Sequence, residues 1–153
     1  MHLFFYGTLL DGSDNAMARE VHRLVSRLGA ATVRGNLFAV PDPQGWFPAL
    51  IAGEGAVHGG LYEATSALSP AQLARLDAYE EYDPLNPAAS LYLRAAMQVT
   101  DAQDAAVMAE VYLYNQPLPP GSCAIPSGDF RQWITARGEA PFAGHRAEKP
   151  STT

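Results

Sequence analysis

The run Leu3-Phe4-Phe5-Tyr6-Gly7-Thr8-Leu9-Leu10 constrains the fold more than any other stretch of the chain. Its apolar first half reads as a buried strand, and Gly7 interrupts it before any helical period begins. A strand broken in this way aims its next backbone N–H groups into a common space where no ladder partner waits, and such a turn holds a carboxylate or phosphate oxygen. The same eight residues also fit a plain strand-to-loop bend.

Beyond the turn, Ser13 is positioned to cap a helix in which Met17, Val21, Leu24, Val25 and Leu28 form one apolar stripe. Gly29 would be its left-handed stop, and Arg19, Arg23 and Arg27 would line a solvated flank. Thr32 to Val40 reads as a strand, residues 41–45 as a turn, Trp46 to Ile51 as a short strand and Gly55 to Ala64 as another. Gly59-Gly60 marks a bulge or a close approach. A second helix starts at Ser69, takes Pro70 in its first turn and runs through Leu73, Leu76 and Tyr79. Leu91 to Thr100 and Val107 to Asn115 form a hairpin. A third helix, capped by Ser127, carries Phe130, Trp133 and Ile134 and stops at Gly138. This order predicts an α+β domain, a small mixed β-barrel with helices packed outside. One domain over residues 1–143 is expected, followed by a polar, flexible tail over 144–153.

Composition removes several function classes. The formal net charge is −6, and the nine arginines and single lysine form no basic run longer than two residues, so nucleic acid is not expected as a partner. A small anionic substrate would have to be held by local donors against that overall field. Cys123 is the only cysteine, which excludes an internal disulfide and fits a reducing cytoplasm. No apolar run reaches the length of a membrane span and no basic region precedes the first one, so no membrane partner is expected. His2, His22, His58 and His145 are scattered without ligand spacing, and neither a nucleophile elbow nor a phosphate loop occurs. No metal and no cofactor are therefore expected. The sequence carries no signal for an oligomeric state.

One carboxylate looks out of place. Glu80 follows Leu73 by seven residues and Leu76 by four, so on a helix it projects within roughly 20–40° of both. Glu81 turns away, roughly 80° from Leu73 and 140° from Leu76. Burial and a helix C-terminus both favour the protonated form of an acid in the position of Glu80, which suits a general base near neutral pH. The alternative is an ion pair with Arg94 or Arg75 that only ties the helix down. Tyr112 and Tyr114 alternate along one strand face, as core residues or as the wall of a pocket.

Taken in order, Tyr6-Gly7-Thr8-Leu9, Phe47-Pro48-Ala49-Leu50, Val57-His58-Gly59-Gly60-Leu61-Tyr62 and Leu76-Asp77-Ala78-Tyr79-Glu80 resemble the gamma-glutamylcyclotransferase family. The match continues through Tyr92-Leu93-Arg94, Val111-Tyr112-Leu113-Tyr114 and Ser127-Gly128-Asp129-Phe130, about residues 1 to 135. The chain looks most like the small branch that includes gamma-glutamylamine cyclotransferases. The resemblance implies a gamma-glutamylcyclotransferase-like barrel whose mouth holds a small-molecule gamma-glutamyl substrate. The Tyr6, Gly7, Thr8 and Leu9 loop would bind its alpha end, Glu80 would act as base, and the product would be 5-oxoproline. Pro48, Tyr112 and Tyr114 are further candidates for the substrate wall. Family members often carry glycine after the glutamate, where this chain has Glu81. That second carboxylate could raise the pKa of Glu80 further or could displace it as the working base. The same mouth could also bind an amino-acid-like anion without turnover, as a sensor domain, or act on a larger acylated substrate.

Overall fold

A short N-terminal strand organises the architecture because it finds partners on both sides. The computed structural model describes residues 1–142, and in it β1 (His2–Phe5) pairs antiparallel with β3 (Gly45–Ala64) and parallel with β5 (Ala106–Tyr114). β5 pairs with β4 (Tyr92–Asp101), β4 with β2 (Val25–Asp42), and β2 returns to β3, so the five strands close into a mixed barrel. The two-residue β6 (Cys123–Ala124) adds to β2. Three helices pack outside: α1 (Ala16–Val21), α2 (Pro70–Tyr79) and α3 (Phe130–Arg137). The α+β barrel expected from the sequence is the fold observed. The domain limit at 143, the tail 144–153 and His145 lie outside the described residues.

Alternation along β1 feeds two cores. Leu3 and Phe5 join Val21 of α1, Leu76 of α2, Tyr62, Tyr92 and Tyr112. Phe4 and Tyr6 join Val33, Leu61, Val99 and Val111, with Phe130 and Ile134 of α3. All four of these residues in and just after β1 are buried. The strand therefore ends with its last residues fixed from two directions, and the turn after it starts from a rigid base.

Several sequence expectations need correction. The first helix ends at Val21, not near Leu28, and its cap is Asn15 rather than Ser13. Val25 instead opens β2, where Val25, Ser26 and Arg27 pair with Ala64, Glu63 and Tyr62. Gly29 sits in a bulge of that strand, at φ 140°, and not at a helix end. The two short strands expected over 46–64 are one long strand, in which residues 52–55 bulge opposite Gly35 and Gly55 N donates to Asn36 Oδ1. α3 is capped by Asp129, whose side chain accepts from Gln132 N, while Ser127 accepts from Asp129 N. The second helix begins as expected, with Ser69 accepting from Gln72 N and Pro70 in the first turn.

Candidate functional site

Gly7 is a glycine because of crowding. A Cβ there would run into the Pro48 ring. With no side chain, the chain after β1 folds flat against β3 and turns back, Leu10 N donating to Gly7 O over 3.1 Å. Two side chains hold the outer carbonyls of this turn. Asn15 Nδ2 donates to Thr8 O at 2.7 Å and His22 Nε2 lies 2.6 Å from Leu9 O. A carbonyl can only accept, so that ring nitrogen carries the proton. Among the described residues, no backbone carbonyl or side chain accepts from the amides of Thr8 or Leu9. Both residues are nonetheless buried.

Across from the turn stands the end of α2. Glu80 is its C-cap and is 6% exposed, as the helical angles predicted, whereas Glu81 turns outward with φ 53° and is exposed. A cavity of about 20 Å³ lies between the turn and Glu80, walled by Phe5, Tyr6, Gly7, Thr8, Leu9, Pro48, Glu80, Tyr92 and Tyr112. Seven of the eight candidates named from the sequence thus meet around one space. Tyr114 does not line it; its ring packs edge-on against Tyr92 at 5.4 Å and near Phe47 at 6.5 Å.

The tyrosine hydroxyls around the cavity fix its walls. Tyr6 donates to Tyr112 O at 2.6 Å, Tyr92 to Pro48 O at 2.5 Å and Tyr112 to Asp77 Oδ1 at 2.6 Å. Burial and the Asp77 hydrogen bond, with the charges of Asp77 and Glu80 adding to them, push the Tyr112 phenol far above its ordinary range, so it stays a neutral donor. Asp77, 5% exposed, also receives Arg94 Nε at 2.9 Å, and Arg94 Nη1 reaches Glu110 at 2.7 Å. Arg75 pairs with Glu20 at 2.8 Å. Both arginines weighed as anchors for Glu80 therefore hold other carboxylates.

Sequence reasoning passed over Asp77, Asn15, His22, Phe5 and Tyr92. Asp77 had a usable signal, since it precedes Glu80 by three residues and so shares its helix face. Asn15 and His22 had none, because their partners are carbonyls of a turn whose path only the fold defines.

A larger cleft of about 780 Å³ lies elsewhere, lined by Asp11, Arg27, His58, Asp101 and Arg131 among others. None of its carboxylates, Asp11, Asp101, Asp104 and Asp129, is buried, whereas Glu80 in the smaller cavity is. A third space of about 270 Å³ shares Gly7 and Thr8 with that cavity and extends over Asn15, Phe130 and Phe142. Among the described residues, no helix is long and apolar enough to cross a membrane, and no cluster of three or more His, Cys, Asp or Glu side chains could hold a metal ion.

A family model described as gamma-glutamyl cyclotransferase, AIG2-like, matches residues 3–132. No curated protein matches the chain significantly. Among solved structures, YkqA from Bacillus subtilis is similar with a TM-score of 0.64 and 21% identity; the match takes in 90% of this chain and only 42% of that one. Protein ytfP from Escherichia coli has a TM-score of 0.51 and 26% identity, over 84% of this chain and 95% of its own. An AIG2-like protein from Mus musculus has a TM-score of 0.52 and 22% identity, over 97% and 90% respectively.

Proposed function

The chain belongs to the gamma-glutamyl cyclotransferase, AIG2-like family, and from that premise we propose that it releases 5-oxoproline from a gamma-glutamyl amine or peptide. The substrate brings its own nucleophile. Its alpha-amine attacks the gamma-carbonyl carbon, a C–N bond closes the five-membered lactam, and the C–N bond to the leaving amine breaks. Well-aligned internal attack gains roughly 7–11 kcal/mol from positioning alone, so no enzymatic nucleophile is required. Glu80 takes a proton from the attacking nitrogen and returns one to the departing nitrogen. The Thr8 and Leu9 amides hold either the alpha-carboxylate or the oxyanion of the tetrahedral intermediate.

One observation carries this reading: the buried Glu80 lines a single cavity with Thr8 and Leu9, whose amides have no acceptor among the described residues. At about 20 Å³ that cavity has room for roughly one water. A glutamyl head therefore enters only as the walls part. The lone Cys123, which can form no internal disulfide, fits a reducing compartment such as the cytoplasm.

The test is 5-oxoproline release from a panel of gamma-glutamyl amines and dipeptides. Glu80→Gln is expected to keep the fold and lose about 10²–10⁴-fold in rate, whereas Glu81→Gln keeps most activity. Loss confined to Glu81→Gln would transfer the role to Glu81. Tight binding of a gamma-glutamyl compound without turnover, indifferent to Glu80→Gln, would instead identify a binding domain.

A further inference from the structure

We propose that Asn15 is a positioning residue for the reaction, aiming the Leu9 amide into the cavity through the carbonyl of Thr8. The inference rests on the cyclotransferase reading above and concerns how the amide turn is held. In a trans peptide, the carbonyl of one residue and the N–H of the next point opposite ways. Asn15 Nδ2 grips Thr8 O at 2.7 Å, so it turns Leu9 N–H away from itself. Asn15 is not a wall of the small cavity, whereas Leu9 is. The orientation of the Asn15 amide is set by its two partners, because Oδ1 accepts from Ala18 N at 2.7 Å and only the NH2 end can face a carbonyl. Asn15 is 4% exposed, so both bonds are made inside the protein. Leu10 N on Gly7 O fixes the preceding peptide in the same manner, which aims Thr8 N–H. One side chain thus joins the start of α1 to the donor array.

The experiment separates this role from simple helix capping. Ser and Asp cap a helix about as well as Asn, but an ionised Asp has no proton to give Thr8 O, and the Ser hydroxyl sits on a shorter side chain than the carboxamide nitrogen. Asn15→Ser, Asn15→Asp and Asn15→Ala are therefore compared with wild type in melting temperature and in steady-state turnover of a gamma-glutamyl substrate, with kcat and KM resolved separately. All three are expected to lose about tenfold or more in kcat/KM, with Ser and Asp melting close to wild type. Wild-type activity in Ser and Asp, with a loss only in Ala, would overturn the proposal and leave Asn15 a cap. Wild-type protein without turnover on any gamma-glutamyl compound defeats the cyclotransferase reading instead. The role of Asn15 is then still read from the Leu9 amide resonance in titrations with 5-oxoproline. That resonance moves in wild type and stays fixed in Asn15→Ser if the amide is aimed, and an equal response in both sinks the idea.

Discussion

Steric exclusion at Gly7 is a sharper constraint than backbone conformation, since the neighbouring Pro48 ring fills the space a side chain would need. Gly7→Ala is accordingly expected to destabilise the fold by about 1–3 kcal/mol, the usual range for overpacking. Pro48→Ala should recover part of that loss in the double variant, because the two sites touch and couple. Urea unfolding of the two single variants and the double variant measures it, and strictly additive effects would mean that the clash is relieved elsewhere. At this scale much of the site was legible. Glu80 was separable from Glu81 by an angle of one helical step, and its burial follows from sharing a face with Leu76. Asn15 and His22 were not legible, because a residue that bonds a turn carbonyl is recognisable only after the turn has a shape.

The elements meet at a second junction, where the turn is tied to β3. Tyr62, fully buried, donates to Asp11 Oδ1 at 2.5 Å, and Asp11 N returns a bond to the Tyr62 hydroxyl at 3.1 Å. The Tyr62 hydroxyl holds the Asp11 carboxyl below its ordinary value of 3.8 against the opposing effect of burial, with Arg27 and Arg131 adding to it. Burial and Asp11 push the phenol itself up to about 12. A depressed folded value means that the unfolded chain binds the proton first. The stabilisation is present above the unfolded value near 3.8 and fades as pH falls through the folded one. Tyr62→Phe should therefore be less stable than wild type at pH 7, with the gap narrowing in acid; urea midpoints from pH 7 to 2 would read it. A constant gap would assign the loss to packing alone. The elements themselves were unequally legible. α2 announced itself through Ser69 and Pro70, whereas the spacing Val21, Leu24, Val25, Leu28 imitates a helix although Val25 pairs with Ala64. A strand partner that far away in sequence outweighs local period. The gap expected between Ile51 and Gly55 is a bulge within one strand, where Asn36 receives the Gly55 amide as the register shifts.

Taken whole, the molecule is a closed ring whose candidate site draws on β1, β3, β4, β5 and α2 at once. Ligand binding to such a site favours the folded state by mass action, about 2.7 kcal/mol at a hundredfold excess over Kd. 5-Oxoproline should accordingly raise the melting temperature of the wild type in a concentration-dependent manner. A flat response at millimolar product would argue against the small cavity as its seat. The barrel was legible from the order of strands and helices, but the pairing that closes it was not: the parallel contact Leu3↔Glu110 is one that no local pattern announces. That contact also sets a timetable. During synthesis the turn after β1 is made well before Tyr112 and the strand that brackets β1, since Tyr6 and Tyr112 stand 106 residues apart. A growing polypeptide therefore carries one half of the candidate site before the other exists, and the proposed activity should appear only once the late strand has docked.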